Sequence, residues 1–193
     1  DRSPSRGLGD VYKRQIHDSP FSRVVLDNYH SGIQAAHYLL RQTPDLKRLL
    51  VLTGPQHSRI TVERLKGLRE VLAEHPHVQV EVQAGDYTLM PSYLHTLDYL
   101  AEHSAPDAIM GFNQLITLGA LRALRMHNIA HDSLTICGID RLPFADIFGV
   151  PIACVAHDAS LAGSSAVRLL LDRLQDPYKP RDKVVIAGVL ENG

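Results

Sequence analysis

A chain of 193 residues, 45% of them hydrophobic, is too apolar for disorder and long enough for one good core or two small lobes. Lys plus Arg (20) nearly balance Asp plus Glu (21), so no global field draws it to nucleic acid or to an anionic membrane. No run approaches membrane-spanning length, and Cys137 and Cys154 each lie in an apolar stretch, as reduced core thiols of a cytoplasmic protein do, not as a secreted disulfide framework.

Residues 1–15, DRSPSRGLGDVYKRQ, show no periodicity; Ser5 to Gln15 resembles a sequencing adaptor translated in frame, so this segment is set aside as non-native and is expected to pack against nothing. From there strands and helices alternate. Val24 to Leu26 reads as a strand, Ile33 to Leu40 as a helix, and Arg48 to Thr53 as a strand closed by the Gly54-Pro55 turn. A helix follows over Thr61 to Glu74. Val78, Val80 and Val82 alternate with polar residues up to Ala84-Gly85-Asp86, as in a strand with one solvated face near a sheet edge. Next come a helix over Met90 to Glu102, the buried strand Ala108 to Gly111, and a helix carrying Leu115, Leu118, Leu121 and Leu124 at helical spacing. Leu134 to Ile139 and Ile152 to Ala156 are further strands, Leu161 to Leu174 a helix, and Lys183 to Val189 a last strand. This alternation predicts an α/β fold with a mainly parallel sheet flanked by helices, with Asp158 to Lys179 as an excursion to a second lobe.

Four side chains fall just beyond strand ends, where ligands bind in open α/β sheets. Arg64 lies in the first turns of the helix after Arg48 to Thr53, Tyr87 follows the alternating strand, and Asn113 and Asp140 follow the next two. A guanidinium and a carboxylate take hydroxyls, a carboxamide both donates and accepts, and an aromatic ring stacks on an apolar sugar face. The set describes a polyol pocket that binds without a nucleophile. Each residue has a plainer reading: Asn113 as a helix cap, Arg64 paired on the surface with Glu63 or Glu70, Asp140 as a turn residue after Gly138, and Tyr87 as an edge aromatic under a loop.

Enzyme and metal chemistry lack their signatures. His75 and His77 flank Pro76, and His127 and His131 lie in another loop, without HExxH-like spacing or supporting carboxylates. Neither GxSxG nor GxxxxGK[ST] occurs, and Ser164-Ser165 beside Gly163 reads as a close-packing site. The chain is therefore read as a non-enzyme, with no cofactor and no metal.

The runs VVLDNYHSGIQAAHYLL, LLVLTGP, TVERLKGLREVL, AGDY, PDAIMGFNQLITLGALRAL, LTICGIDRLPFADIFGVPIACVAHD and VVIAGVLE, in order between Val24 and Glu191, resemble the effector-binding domain of the lactose repressor/galactose repressor family. The resemblance implies a periplasmic-binding-protein-like architecture of two lobes joined by crossing strands. It assigns residues 16–156 to the C-terminal lobe, 157–180 to a crossover and a helix of the N-terminal lobe, and 181–193 to a return strand. The helix-turn-helix headpiece, the hinge and most of the N-terminal lobe would lie outside the chain.

Carried over residue by residue, the resemblance makes Arg64 in RLKG, Tyr87 after Gly85-Asp86, Asn113 in GFNQL and Asp140 in GID ligand-binding residues, and brings His157 to the cleft at the crossover. Gln114 stands where an acidic neighbour of Asn113 is usual, which removes a carboxylate from a helix N-terminus, and Thr43 to Lys47 replaces a Gly-His turn. The implied function is sensing of a small sugar-like effector by a bacterial transcription regulator. The implied partners are that effector, a second copy through Leu115 to Met126 and Phe144 to Phe148, and operator DNA only through the headpiece. A periplasmic sugar-binding protein of a transport system is the rival reading; an upstream headpiece or signal peptide would discriminate them.

Overall fold

The computed structural model describes residues 21–129, 134–143 and 152–192. In chain order the elements are β1 (Arg23–Leu26), α1 (Asn28–Gln42), β2 (Arg48–Thr53), α2 (Arg59–Leu72), β3 (Gln79–Ala84), α3 (Leu89–Glu102) and β4 (Ala108–Gly111). Then come α4 (Gln114–Met126), β5 (Thr135–Ile139), β6 (Ile152–His157), α5 (Ala159–Gln175), β7 (Lys183–Ile186) and β8 (Gly188–Glu191). Side-chain caps start three of the helices: Asp27 accepts from the His30 amide, Asn113 from Ile116 and Asp158 from Leu161. Residues 1–15 and Phe144 to Phe148, for which the sequence made specific expectations, lie outside the described residues.

Six strands form one sheet in the order β3-β2-β4-β5-β6-β8, all neighbours parallel except β6 and β8. Helices α1 and α2 pack together, as do α3 and α4. Right-handed crossovers put the α2 connection on one face and the α3 and α4 connections on the other, so both faces are covered. Leu49 to Leu52, Ala108 to Met110 and Ile136 are accordingly buried. β3 is one of the two edge strands, the other being β8, and Val80 on β3 stays partly exposed, as its alternating pattern predicts.

The helix pair α1 and α2 owes its closeness to two glycines. A Cβ on Gly32 would lie 2.1 Å from the Arg64 carbonyl oxygen, and one on Gly67 would lie 2.1 Å from that of Tyr29. Ser31, Ala35 and Ala36 continue the small, buried face of α1. The two backbones therefore meet beside Arg64, which fixes where that side chain starts.

The chain divides into two compact units, one holding residues 27–157 and 187 onward, the other residues up to Leu26 together with Asp158–Ile186. The first carries the six-stranded sheet. The second, in its described residues, consists of β1 and β7 paired in parallel from Arg23↔Lys183 to Leu26↔Ile186, with α5 against them. This differs from the expectation that residues 16–156 form one lobe and that 181–193 return to it as one strand. Val24 to Leu26 pairs with Val184 to Ile186, and the expected strand Lys183 to Val189 is two strands that part at Ala187. The apolar run is continuous in sequence, but only a glycine lets the chain change ladders there: a Cβ on Gly188 would lie 2.6 Å from Val155 Cγ1.

Candidate functional site

Because β2 to β6 run parallel, their carboxyl ends share one edge of the sheet. Connections leave β2 toward β3 on one side and reach β4 on the other, so a topological switch point lies between β2 and β4. Arg64 on α2 follows β2, Tyr87 follows β3, Asn113 follows β4, Asp140 directly follows β5, and His157 ends β6.

Arg64 is only 3% exposed. Its Nε donates to Asn28 Oδ1 at 2.9 Å and its Nη1 donates to the Phe112 carbonyl, which spans the switch point. Neither of the surface carboxylates considered from sequence takes it: Glu63 pairs with Arg59 at 2.7 Å, and Glu70 accepts from the Tyr29 hydroxyl. Among the described residues no carboxylate forms an ion pair with this guanidinium. Burial pulls its pKa down from the usual arginine value, and the fields of Asp140 and Tyr87 oppose that shift.

Tyr87 and Asn113 are built as a pair. Tyr87 has a positive φ of 68°, and its ring lies across the backbone of Gly54, where a Cβ would come within 2.1 Å of Cζ. Its hydroxyl donates to Ser58 Oγ at 2.8 Å and stands 2.7 Å from Thr61 Oγ1. Asn113 Oδ1 accepts from the Ile116 amide at 2.7 Å while Nδ2 donates to the Tyr87 carbonyl at 2.9 Å. So Asn113 is a cap and also the strut that holds the Tyr87 turn. One N–H of its carboxamide remains beyond these two bonds.

Asp140 also has a positive φ, 69°, with its amide donating to the Val155 carbonyl at 3.0 Å. Its side chain is 40% exposed, and Oδ1 lies 3.2 Å from His157 Nδ1, while the His157 ring is only 4% exposed. His157 Nε2 in turn lies 3.1 Å from Ser31 Oγ. The five residues thus fall into three bonded groups, Arg64 with Asn28 and Phe112, Asn113 with Tyr87, and Asp140 with His157, and the fields of Asp140 and Tyr87 at Arg64 link them. A cavity of about 160 Å³ lined by Thr117, Gly138, Asp140, Arg141, Cys154 and Glu191, among others, opens beside Asp140. Arg141 closes one side with a two-point contact to Glu191, its Nε donating at 2.6 Å, which holds the Glu191 carboxyl below its ordinary value.

Sequence reasoning missed Asn28, Ser31, Ser58 and Thr61, which hold the chosen side chains in place. Asn28 carried a signal, since it directly follows the first strand and the capping residue Asp27; the serines and threonine carried none. Cys137 and Cys154 are free and buried. Cys137 pairs in register with Ala153 and Cys154 with Gly138, so the thiols lie on opposite faces of the sheet. Burial pushes Cys137 up to about 12 and raises Cys154 as well. His75 and His77 meet edge to face, and among the described residues no group of three or more His, Cys, Asp or Glu side chains is placed to hold a metal ion. No helix among them is long and apolar enough to cross a membrane.

A family model described as a periplasmic binding protein domain matches residues 11–176, beginning inside the segment 1–15 that was set aside. The HTH-type transcriptional regulator CelR of Thermobifida fusca is 29% identical over 162 residues, covering 82% of this chain and 47% of the relative. A solved transcriptional regulator CelR–cellobiose complex has a TM-score of 0.80 at 26% identity, covering 92% of this chain and 55% of that one. A LacI-family transcription regulation repressor from Corynebacterium glutamicum superposes with a TM-score of 0.81 at 22% identity, covering 90% of this chain and 66% of that one, a likeness of fold. The chain spans about half the length of the curated relatives it matches.

Proposed function

We propose, because this chain belongs to the periplasmic binding protein domain family, that it is the effector-sensing part of a bacterial transcription regulator and binds a sugar or sugar-like molecule at the carboxyl edge of its six-stranded sheet. The observation that carries the reading is Arg64. A buried cation costs several kcal/mol unless something compensates it, and this one stands at the switch point with Asn113 and Asp140 as neighbours along the same edge. Ligand hydroxyls would accept from Arg64 and donate to the exposed part of Asp140. The Asn113 carboxamide would read another hydroxyl, and the Tyr87 ring would cover the apolar face.

The named relatives act as transcriptional regulators, which supports regulation over transport and a cytoplasmic site over a periplasmic one. Operator DNA would be contacted by a headpiece elsewhere in the whole protein. The chain passes between its two units beside Asp27, His157 and Ala187. Effector binding would bias one conformation of the whole regulator over another, by no more than its differential affinity for the two. Calorimetric titration against a sugar panel that includes cellobiose tests the assignment. Asp140→Asn or Arg64→Lys should weaken binding by roughly 2 kcal/mol, about thirty-fold in Kd; unchanged affinity rejects it.

Self-association is the second part of the proposal. Most of the apolar residues of α4 pack on its own sheet, Ile116, Ala120, Leu121 and Leu124 among them. Leu115 and Met126 stay exposed, as do Met90 and Leu94 on α3. These four would form a self-complementary C2 face. Sedimentation should show a dimer that Leu115→Glu dissociates; a wild-type monomer at high concentration rejects it.

A further inference from the structure

We infer that Thr61, together with Ser58, is a positioning residue of the effector site: the two hydroxyls at the start of α2 hold the Tyr87 ring flat on Gly54, so that Tyr87 meets the effector with its ring and not with its hydroxyl. The room at Gly54 shows where the ring lies. A Cβ there would stand 2.1, 2.2 and 2.4 Å from Cζ, Cε1 and Cε2 of Tyr87. A point in the ring plane beyond its rim cannot come so near to all three carbons. The Gly54 hydrogen in that direction therefore points at the face of the ring, near its hydroxyl end, and any side chain at this position would push the ring away.

The hydroxyl is committed to α2. Ser58 Oγ lies 2.8 Å from it and Thr61 Oγ1 2.7 Å, and two such partners satisfy a phenol oxygen whichever of them donates. Thr61 is completely buried, and the phenol is the only hydrogen-bond partner of its side chain among the described residues. A hydroxyl this deep is tolerated because it is bonded. At the other end of the residue, Asn113 Nδ2 donates to the Tyr87 carbonyl at 2.9 Å, and the backbone turns there with a φ of 68°. Held at its carbonyl from the end of β4 and at its hydroxyl from α2, the ring is ordered before any ligand arrives, so an effector that stacks on it does not have to immobilise it.

The inference rests on the sensor reading in taking the Tyr87 ring as an effector contact, and its first readout needs no ligand. In the proton NMR spectrum of the unliganded protein, one Gly54 Hα should resonate upfield of the ordinary glycine range, shifted by the Tyr87 ring current. Thr61→Val should move that signal back towards the ordinary range, Ser58→Ala on top of it should move it further, and Thr61→Ser should leave it in place. A Gly54 signal that is unshifted in the wild type, or that the double variant leaves where it was, overturns the inference. Titration with cellobiose is the second readout. Tyr87→Phe and the Ser58→Ala/Thr61→Val double variant should weaken binding alike, by roughly tenfold in Kd, with no further loss when all three are combined, and Thr61→Ser should bind as the wild type does. A loss from Tyr87→Phe well beyond that of the double variant would mean that the hydroxyl itself touches the effector, and it too overturns the inference. A wild-type protein that binds no cellobiose counts against the sensor reading, and the Gly54 signal then still decides whether Thr61 and Ser58 place the ring.

Discussion

Helices α4 and α5 begin alike and end differently. Each starts on a side-chain cap, Asn113 to the Ile116 amide and Asp158 to the Leu161 amide, and each carries leucines at helical spacing. In α4 Ile116, Thr117, Gly119, Ala120, Leu121, Ala123 and Leu124 are all buried, whereas α5 has no buried residue and leaves Leu161, Val167, Leu170, Leu171 and Leu174 exposed. The one lies on a six-stranded sheet and the other on a sheet with two strands among the described residues. Local signals are thus enough to place a helix, but burial depends on how much sheet stands under it.

The largest expected contrast comes from truncating one leucine in each unit. Leu50→Ala, at a fully buried position of β2, should cost about 2–5 kcal/mol in urea unfolding. Leu170→Ala, 58% exposed on α5, should stay within about 0.5 kcal/mol. Equal losses would mean that α5 is packed as firmly as the core and would remove the contrast.

The two caps sharpen the comparison on a smaller scale. Asn113→Ala removes both the Ile116 cap and the strut to the Tyr87 carbonyl, so it should lower global stability by at least ~1 kcal/mol. Asp158→Ala should speed amide exchange in the first turn of α5 with little movement of the global midpoint, because no burial depends on that turn. A global loss from Asp158→Ala as large as that from Asn113→Ala would show that the two units unfold together.

The candidate positions were legible where strand ends can be counted in a parallel sheet: Arg64, Tyr87, Asn113 and Asp140 follow β2 to β5 along one edge, while His157, which ends β6, came only from the family resemblance. Their partners were not legible. Surface pairing with Glu63 or Glu70 is the ordinary fate of a helical arginine, yet Arg64 turns inward to Asn28 and Phe112, because Gly32 and Gly67 let α1 come close enough to cover it. The run from Lys183 to Val189 reads as one strand, since nothing in its apolar pattern marks where it leaves β1 and joins β6.

Periodicity, turn residues and caps were sufficient for the order of strands and helices, the parallel sheet and its exposed edge, because those are short-range properties of the chain. Which carbonyl receives the guanidinium, which serine orients the imidazole and which strand each half of the last apolar run pairs with came from three-dimensional packing alone. Partners in the structure lie up to 160 residues apart, as the Asp182 amide and Ser22 Oγ do. Hydrogen bonds over such separations are chosen by helix spacing and sheet register, which no local pattern encodes.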